Sequence, residues 1–154
     1  MSEQEKAGGI PDTQFAIQRL YIKDVSFETP NSPNIFKENG QPEMTLNVAS
    51  KSNKLDEKVF EVVLSLTVTV KMKEKTAYLV EVQQAGIFYI DNVPDEHMGP
   101  MLGSYCPNML FPYAREVVSE LVTKGSFPQL VLAPINFDAL YLQQQQQAGQ
   151  QKAH

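Results

Sequence analysis

Four side chains on two predicted strands have the residue types and the spacing of a docking surface for a basic protein segment. Asp24 and Glu28 are four positions apart, and Leu79 and Glu81 are two positions apart. Because alternate residues of a β-strand point to the same face, each pair shares one face of its strand. If both strands lie in one sheet, the four residues form an exposed acidic strip that would complement a basic, partly apolar partner. A merely soluble sheet face is an equally good interpretation of the spacing alone.

Four aromatic side chains in or near predicted loops have the chemistry to line a groove for an extended, apolar peptide. Phe36 lies in a long loop after the first strand, and Phe127 lies in the loop after the main helix. Phe137 and Tyr141 lie on the last helix. The alternative interpretation is that these rings fill the ends of the chain's own core, and the residue pattern alone favours that alternative.

The residues needed for catalysis or metal binding are scarce in this sequence. The histidines are His97 and His154, and the single cysteine is Cys106. No pair of them has the spacing of a zinc site, and no phosphate-binding loop or nucleophile motif occurs. Cys106 could in principle act as a nucleophile with His97 as its base, but an isolated cysteine between tyrosine and proline is typical of a small buried hydrophobic residue. We therefore predict that the protein is not an enzyme and has no metal ion or cofactor.

Length and charge narrow the class of partner. The chain has 154 residues, enough for one domain, and its formal net charge is −5. This charge argues against broad binding of nucleic acid or of an anionic membrane, because both interactions require clustered Lys and Arg. The N-terminus lacks the apolar run of a signal peptide, and the most apolar stretch, residues 59–70, is too short and too polar to span a bilayer. We expect a cytoplasmic protein.

The first half of the chain has the alternating pattern of an antiparallel sheet that is covered on one face. In the clearest strand, apolar residues occupy every second position from Phe60 to Val70. The strands are predicted over residues 15–28, 44–49, 60–70 and 78–83. Residues 30–42 are rich in Pro, Asn and Gly and predict a long loop, and residues 50–54 predict a polar turn.

The second half changes to a helical period. Gly125 follows the main helix at a position where glycine is common, and prolines at 107 and 112 predict a break or kink in the long helix. A short C-terminal helix is predicted from Asn136, which can cap its N-terminus. The apolar face of the main helix consists of Ala114, Val117, Val118, Leu121 and Val122.

This order of elements predicts an α+β fold, a four-stranded antiparallel sheet followed by a long helix and a short one. Residues 1–12 are polar and contain Gly and Pro, and residues 143–154 are rich in Gln. Neither segment can contribute to a core, so we predict that both are disordered. One domain over residues 13–142 remains.

Four segments closely resemble the SecB family of bacterial protein-export chaperones. They follow the family's order and spacing without gaps and extend over most of residues 14–142. The segments are IQRLYIKDVSFETPN (Ile17 to Asn31), VEVQQAGIF (Val80 to Phe88), YCPNMLFPYARE (Tyr105 to Glu116) and GSFPQLVLAPINFDAL (Gly125 to Leu140).

The resemblance implies a cytosolic chaperone without ATPase activity, which holds precursor proteins unfolded and delivers them to SecA, the motor ATPase of the translocon. It implies a homotetramer, a dimer of dimers, in which the long helices lie between two eight-stranded sheets. The family's SecA contacts correspond to the acidic strip, Asp24, Glu28, Leu79 and Glu81. Its client groove runs between the loop after the first strand and the helix-connecting loop, which favours Phe36, Phe127, Phe137 and Tyr141 as client contacts.

The chain departs from the family in three places. Gly40 stands where many members have a tryptophan before Pro42, residues 99–101 replace a common Ala-His-Cys, and the tail is Gln-rich where many relatives are acidic. These departures concern a groove subsite, the start of the long helix and an auxiliary tail contact with SecA. Two interpretations from other classes stay open: a small hydrophobic-ligand-binding or thioesterase-like protein, and an adaptor that docks on SecA without binding clients.

Overall fold

The computed structural model describes residues 13–152 and forms a four-stranded antiparallel sheet with helices against one face. The spatial order β1-β4-β3-β2 makes β1 and β2 the edge strands, and the predicted α+β class is confirmed. Residues 1–12, which we predicted to be disordered, lie outside the described residues. The elements are β1 (Gln14–Glu28), a 3₁₀ turn (Asn34–Lys37), β2 (Glu43–Asp56), β3 (Val59–Met72), β4 (Lys75–Asp91), α1 (Asp95–Pro100), a π-helical turn (Met101–Tyr105), α2 (Cys106–Lys124) and α3 (Phe137–Lys152).

The core lies between the sheet and α2, which packs against β4 and β3. Alternate residues of the two central strands point toward the helix and are fully buried, among them Leu64, Leu66 and Phe88. Leu110 and Val118 of α2 are equally buried in the same cluster. Complete burial of such a side chain contributes on the order of 2 kcal/mol. This layer therefore fixes the two central strands beneath the helix.

Two bulges in β1 explain why its apolar pattern is mixed. Pairing with β4 shifts by one residue between Ile17 and Arg19, and again between Ile22 and Asp24. One extra residue moves every following side chain to the opposite face of the sheet. The helix-side positions of β1 are therefore odd, then even, then odd again: Phe15 and Ile17, Leu20 and Ile22, Val25 and Phe27.

β2 is longer than the sequence predicts. Residues 50–54, predicted as a polar turn, continue the strand to Asp56, and the turn lies at residues 57–58. Lys51, for example, is paired with Val63. Because β2 is an edge strand, this part is held by backbone pairing more than by burial, so its polar residues do not mark a turn.

The β3–β4 hairpin turns through Lys73 and Glu74, within the charged turn that the sequence suggests. Both residues have positive φ angles, 49° and 67°. This is the geometry of a type I′ turn, whose twist matches that of the flanking strands. β4 then continues to Asp91, past the predicted end at residue 83, and stays paired with both of its neighbours.

The long helix is continuous, and the predicted kink is wrong in position. The irregularity is the π-helical turn over residues 101–105, upstream of both Pro107 and Pro112. Pro107 closely follows the π turn and supplies no amide donor to the helical turn before it. Pro100 directly precedes the π turn, and its missing amide donor removes one bond from the helical ladder there.

α2 ends at Lys124 as predicted, but Gly125 is needed for a different reason. Its φ is −82°, and the left-handed residue is Ser126, with a φ of 69°. A Cβ atom at Gly125 would lie 2.6 Å from the Phe27 ring. Glycine is required because β1 approaches the end of the helix closely.

α3 begins where the sequence predicts and ends later. The Asn136 side chain accepts a hydrogen bond from the Ala139 amide at 3.0 Å, which confirms it as the N-cap. The helix continues to Lys152, so residues 143–152 are helical where we expected a disordered tail. Glutamine has good helix propensity, and residues 143–149 are all exposed, so this part is helical without joining the core. Residues 153–154 lie outside the described part.

Candidate partner-binding surfaces

The acidic strip is assembled on the face of the sheet that the helices do not cover. β1 and β4 are neighbours, and Glu28 pairs with Leu79 while Ser26 pairs with Glu81. Directly paired residues of an antiparallel sheet point to the same side, which confirms that the four predicted residues share a face. Asp24, Glu28 and Glu81 are exposed, and Leu79 is half-buried. Glu28 and Glu81 therefore flank Leu79, and Asp24 lies beyond Glu81, opposite Gln83.

The strip continues onto β3 as neutral, hydroxyl-bearing side chains. Thr69 pairs with Leu79, and Thr67 pairs with Glu81. Both threonines are partly exposed on the same face. The negative charge of this patch is therefore concentrated along β1 and β4, toward one edge of the sheet.

A second polar group on this face, the ion cluster of Tyr21, Lys23 and Glu61, was not predicted. The Lys23 Nζ lies 3.0 Å from each carboxylate oxygen of Glu61, and the Tyr21 hydroxyl donates a hydrogen bond to the same carboxylate. Glu61 is only 8% exposed. Glu61 lies 38 positions after Lys23 and 40 positions after Tyr21, so no local spacing in the sequence could have revealed the cluster.

The ion cluster holds Glu61 in its charged form. Hydrogen bonds from Tyr21 and Lys23 lower the pKa of the Glu61 carboxyl, against a smaller opposing effect of burial. Burial, reinforced by the hydrogen bond to Glu61 and by its charge, raises the pKa of Tyr21 to about 12. At neutral pH Glu61 is therefore a carboxylate and Tyr21 is a neutral phenol, and each has a hydrogen-bond partner within the cluster.

Two of the four predicted aromatic residues meet beside the β3–β4 hairpin. The ring centroids of Phe36 and Phe127 are 5.4 Å apart, and those of Phe127 and Tyr78 are 4.8 Å apart. Phe36 is 50% exposed, and Met44 on the edge strand β2 is 48% exposed. A cavity of about 380 Å³ adjoins them, and Pro42, Val70 and Leu130 contribute to its lining. We call Phe36, Met44, Tyr78 and Phe127 the hairpin groove.

The structure places the other two predicted aromatic residues, Phe137 and Tyr141, apart from the hairpin groove. Phe137 is 4% exposed and packs edge-on against Phe111, with ring centroids 5.9 Å apart. The largely helical chain between Phe111 and Phe127 spans on the order of 25 Å, so Phe137, which packs against Phe111, is far from the hairpin groove. Phe137 thus has the role that the sequence analysis left as its alternative, which is to fill the end of the core.

Tyr141 packs against the start of the long helix. Its ring lies over Gly99 and Gly103, and a Cβ atom at either glycine would collide with it. These glycines are four positions apart and therefore share one helix face. Ser104, in the π turn, donates a hydrogen bond to Asp138 of α3. The departure at residues 99–101 thus includes one of the two glycines against which α3 docks.

Cys106 is a buried structural residue. It is fully enclosed in the core, and burial raises the pKa of its thiol to about 12. The thiol is therefore protonated at neutral pH and a poor nucleophile, which confirms its interpretation as a small hydrophobic residue. Among residues 13–152, no group of three or more His, Cys, Asp or Glu side chains could hold a metal ion. Within the same residues, no helix has both the length and the apolarity to cross a membrane.

A sheet with one open face and an exposed aromatic groove beside a strand edge is typical of the class of proteins that bind extended polypeptide segments. The family model "Preprotein translocase subunit SecB" matches residues 9–148. The chain belongs to the SecB family. The match extends beyond residues 13–142, the boundaries predicted from sequence, at both ends.

Individual relatives agree with the family match. Protein-export protein SecB of Methylococcus capsulatus is 62% identical over 151 residues, which are 98% of this chain and 96% of the relative. Protein-export protein SecB of Nitrosococcus oceani is 62% identical over 136 residues, 87% of this chain and 83% of the relative. A solved Mycobacterium tuberculosis SecB-like chaperone, in complex with a ChAD peptide from the HigA1 antitoxin, has a TM-score of 0.62 at 16% identity, covering 79% of this chain and 91% of that one. At this identity the last comparison shows a shared fold.

Proposed function

We propose that the protein is a cytosolic, ATP-independent chaperone that holds precursor proteins unfolded and delivers them to SecA. Membership of the SecB family supports the role in protein export. The observation that carries the chaperone mechanism is the hairpin groove, in which Phe36 and Met44 expose about half of their surface. The comparisons do not favour the alternative of a small hydrophobic-ligand-binding or thioesterase-like protein.

The hairpin groove offers two kinds of contact to an extended client segment. Phe36, Met44 and Phe127 supply apolar surface that any unfolded chain can use. β2 has no partner strand on its outer side within residues 13–152, so its outward N–H and C=O groups can pair with a client backbone. Each contact is weak, and several grooves on one assembly would add through avidity. Phe36 and Phe127 are the client contacts we propose, whereas Phe137 and Tyr141 hold α3 in place.

The test of the chaperone claim is suppression of aggregation of a denatured precursor by stoichiometric protein without ATP. We expect suppression, and its absence at this ratio would refute the claim. Phe36→Ala should weaken client binding about fivefold, a factor that corresponds to ~1 kcal/mol. Leu55→Ala is the matched control, because Leu55 is 53% exposed on β2, at the end of that edge strand away from Met44 and the hairpin groove. Equal losses in both variants would attribute binding to general surface hydrophobicity.

The acidic strip is the docking site we propose for a basic segment of SecA. Its carboxylates lie on paired strands, so the backbone that carries them needs no ordering when a partner binds. Glu81→Lys should weaken SecA binding at least about tenfold, because it places a cation opposite a basic segment. Glu57→Lys makes the same charge change in the exposed β2–β3 turn and should bind SecA normally. Unchanged SecA affinity in Glu81→Lys would remove the strip from the proposal.

The working unit we propose is a homotetramer, a dimer of dimers. On the helix side of β1, Leu20, Ile22 and Val25 are 37%, 47% and 42% exposed in the single chain. Tyr105 and Tyr113 of the long helix are 50% and 44% exposed. Apolar residues grouped on an edge strand and on a helix are typical of self-association. Light scattering should give the mass of four chains, and a monomer mass at micromolar concentration would contradict the assembly.

A further inference from the structure

The long loop after β1 is attached to the β3–β4 hairpin on both sides of its 3₁₀ turn. Before the turn, the Asn31 side-chain amide donates a hydrogen bond to the Thr76 carbonyl oxygen at 2.9 Å. After the turn, the Glu38 carboxylate accepts a hydrogen bond from Lys75 at 3.3 Å and lies 3.7 Å from the Lys73 Nζ. We call Asn31, Glu38, Lys73, Lys75 and Thr76 the loop clamp.

The loop clamp brackets the short segment that carries Phe36. The Ile35 amide donates a hydrogen bond to the Asn31 carbonyl oxygen at 2.8 Å, and the Glu38 amide donates one to the Ile35 carbonyl oxygen at 3.1 Å. Ile35 is 3% exposed and anchors the turn in the core, whereas the next side chain, Phe36, is half exposed. A turn with one anchor could pivot about it, so the attachments on either side of Ile35 restrict the direction in which the Phe36 ring points.

Both aromatic walls of the hairpin groove are built on the start of β4. The Phe127 ring packs on Tyr78, with the ring centroids 4.8 Å apart. The turn that carries Phe36 is attached at Thr76, two positions before Tyr78. One short strand segment therefore holds the Phe36 and Phe127 rings, whose centroids are 5.4 Å apart. A binding surface that is already ordered loses less conformational entropy when its partner binds.

We propose that the residues of the loop clamp are positioning residues, which hold the Phe36 ring at the wall of the hairpin groove before a client binds. This inference rests on the proposed binding of clients in that groove. It assigns a role in client affinity to Glu38 and to the two lysines, whose charges need not touch the client.

Glu38→Lys tests the proposal with a neutral probe, a capped, extended peptide of apolar and uncharged polar residues that carries a neutral fluorophore. Because the peptide has no charge, the charge of residue 38 cannot attract or repel it directly. The change removes both ion pairs and places a cation beside Lys73 and Lys75. Peptide binding, followed by fluorescence anisotropy, should weaken about threefold, which corresponds to ~0.7 kcal/mol. The loss should be smaller than that of Phe36→Ala, because the ring is still present.

Exchange of the two charges separates the ion pair from the net charge. Glu38→Lys combined with Lys75→Glu restores one pair of opposite charges and keeps the formal net charge at −5, so it should recover most of the binding. Glu74→Lys is the matched control, because it makes the same charge change in the exposed hairpin turn, at a carboxylate that forms no ion pair within residues 13–152. It should bind the peptide as the wild-type protein does. Asn31→Ala removes the other attachment without a change of charge and should weaken binding in the same direction as Glu38→Lys.

The position of the ring can be read without a client. The Phe36 and Phe127 rings are in contact, so their protons should give an NOE in protein with selectively labelled phenylalanine. We expect this NOE to weaken in Glu38→Lys and to return in the charge-exchanged protein. The midpoint of urea unfolding should stay close to that of the wild type, because exposed ion pairs contribute little to global stability and Ile35 keeps the loop on the core.

Unchanged or tighter peptide binding in Glu38→Lys would overturn the proposal, as would weaker binding with the NOE intact or an equal loss in Glu74→Lys. Phe36→Ala distinguishes this failure from a failure of the groove. If Phe36→Ala weakens peptide binding and Glu38→Lys does not, the groove stands and the loop clamp has no role in it. If Phe36→Ala binds the peptide normally, the hairpin groove is not the client site and both proposals fail.

Discussion

The two halves of the sheet use the same kinds of side chain for opposite purposes. The hairpin half is the part of the sheet beside residues 73–83, together with the loops and helix ends that pack on it. The terminal half is the part beside residues 84–91 of β4, together with the helices that pack on it. In the hairpin half, carboxylates and aromatic rings are exposed, as in the acidic strip and the hairpin groove. In the terminal half, the same kinds of side chain have partners within the protein. Glu61 accepts hydrogen bonds from Tyr21 and Lys23, and the Phe137 ring packs against Phe111.

The difference shows that residue type alone does not separate a binding surface from a structural contact. Phe36 and Phe137 are both aromatic residues near the ends of the core, yet they are 50% and 4% exposed. Glu81 and Glu61 lie on the same sheet face, and only Glu81 is left exposed. The buried core extends through both halves, and the hairpin half carries in addition the exposed carboxylates and aromatic rings that partners can reach.

Phe137→Ala should give the largest effect, because it removes a buried ring from the terminal half. We expect the free energy of unfolding to fall by about 3–5 kcal/mol. Urea unfolding at fixed protein concentration measures the loss. Phe36→Ala, in the hairpin half, should cost less than about 1 kcal/mol. Similar losses in the two variants would contradict the distinction between the halves.

Gly103→Val should be the next most damaging change. Its side chain would meet the Tyr141 ring, and overpacking of this kind costs about 1–3 kcal/mol. Tyr141→Ala in the same chain should recover part of the loss, because it removes the ring that is struck. A double-mutant cycle on thermal unfolding measures this coupling. Additive effects would mean that α3 does not dock through this contact.

Glu61→Gln should change the pH dependence of stability. The folded pKa of Glu61 lies below the ordinary value of 4.5, so the carboxylate stabilises the fold above that pH and the contribution is lost as pH falls through the folded pKa. The variant should lose about 1 kcal/mol at pH 7 and show a flatter acid limb. Unfolding measured from pH 7 to pH 3 provides the test. Glu57→Gln, an exposed carboxylate in the β2–β3 turn, controls for the change in net charge, and identical acid limbs in all three proteins would contradict the role of the ion cluster.

Tyr21→Phe should sharpen the alkaline side of the same comparison. The pKa of Tyr21 is raised from 10.0 to about 12, so the neutral phenol stabilises the fold below pH 10 and this contribution is lost as pH rises through 12. Wild-type protein should therefore lose more stability between these values than Tyr21→Phe. Absorbance of ionised tyrosine during an alkaline titration follows the transition. The same alkaline loss in both proteins would exclude Tyr21 as its cause.

Glu74→Gly should have the smallest effect and stabilise the hairpin half. Glu74 has a φ of 67°, which glycine adopts without the steric cost of a side chain. After the greater flexibility of glycine in the unfolded chain is subtracted, we expect a gain of about 0.5 kcal/mol. Thermal unfolding should show a slightly higher Tm with client and SecA binding unchanged. A lower Tm would indicate that the Glu74 side chain itself stabilises the turn.

Much of the fold follows from sequence because burial and period coincide in its central elements. Val62, Leu64 and Leu66 lie at alternate positions and are all fully buried on the helix side of β3, and both their residue type and their spacing predict this. The acidic strip could be placed for the same reason, because Asp24 and Glu28 alternate regularly with Val25 and Phe27 and therefore lie on the opposite face of the strand. Asn136 was found because an N-cap is a local signal.

The rest depends on contacts that no local pattern records. The ion cluster joins residues about 40 positions apart, and Gly125 is required by a ring from β1. Residues 50–54 have the polar composition of a turn, yet they form part of β2. An edge strand can be held by backbone hydrogen bonds to its neighbour without apolar side chains of its own. Phe137 could be separated from Phe36 only by the position of α3. In each case the residue type is suitable for the role, but only the tertiary contact shows which role the side chain has.

The two bulges also determine how β1 can tolerate changes in length. Deletion of Lys23 would remove the second bulge and keep the alternation, because Ile22 and Asp24 already pair with the consecutive residues Gln84 and Gln83. Deletion of a paired residue such as Val25 would instead exchange inside and outside for residues 26–28. A one-residue insertion later in the strand would return the following side chains to their original faces of the sheet. β1 should therefore accept deletion of its bulge residue, and elsewhere accept paired insertions and deletions where it rejects single ones.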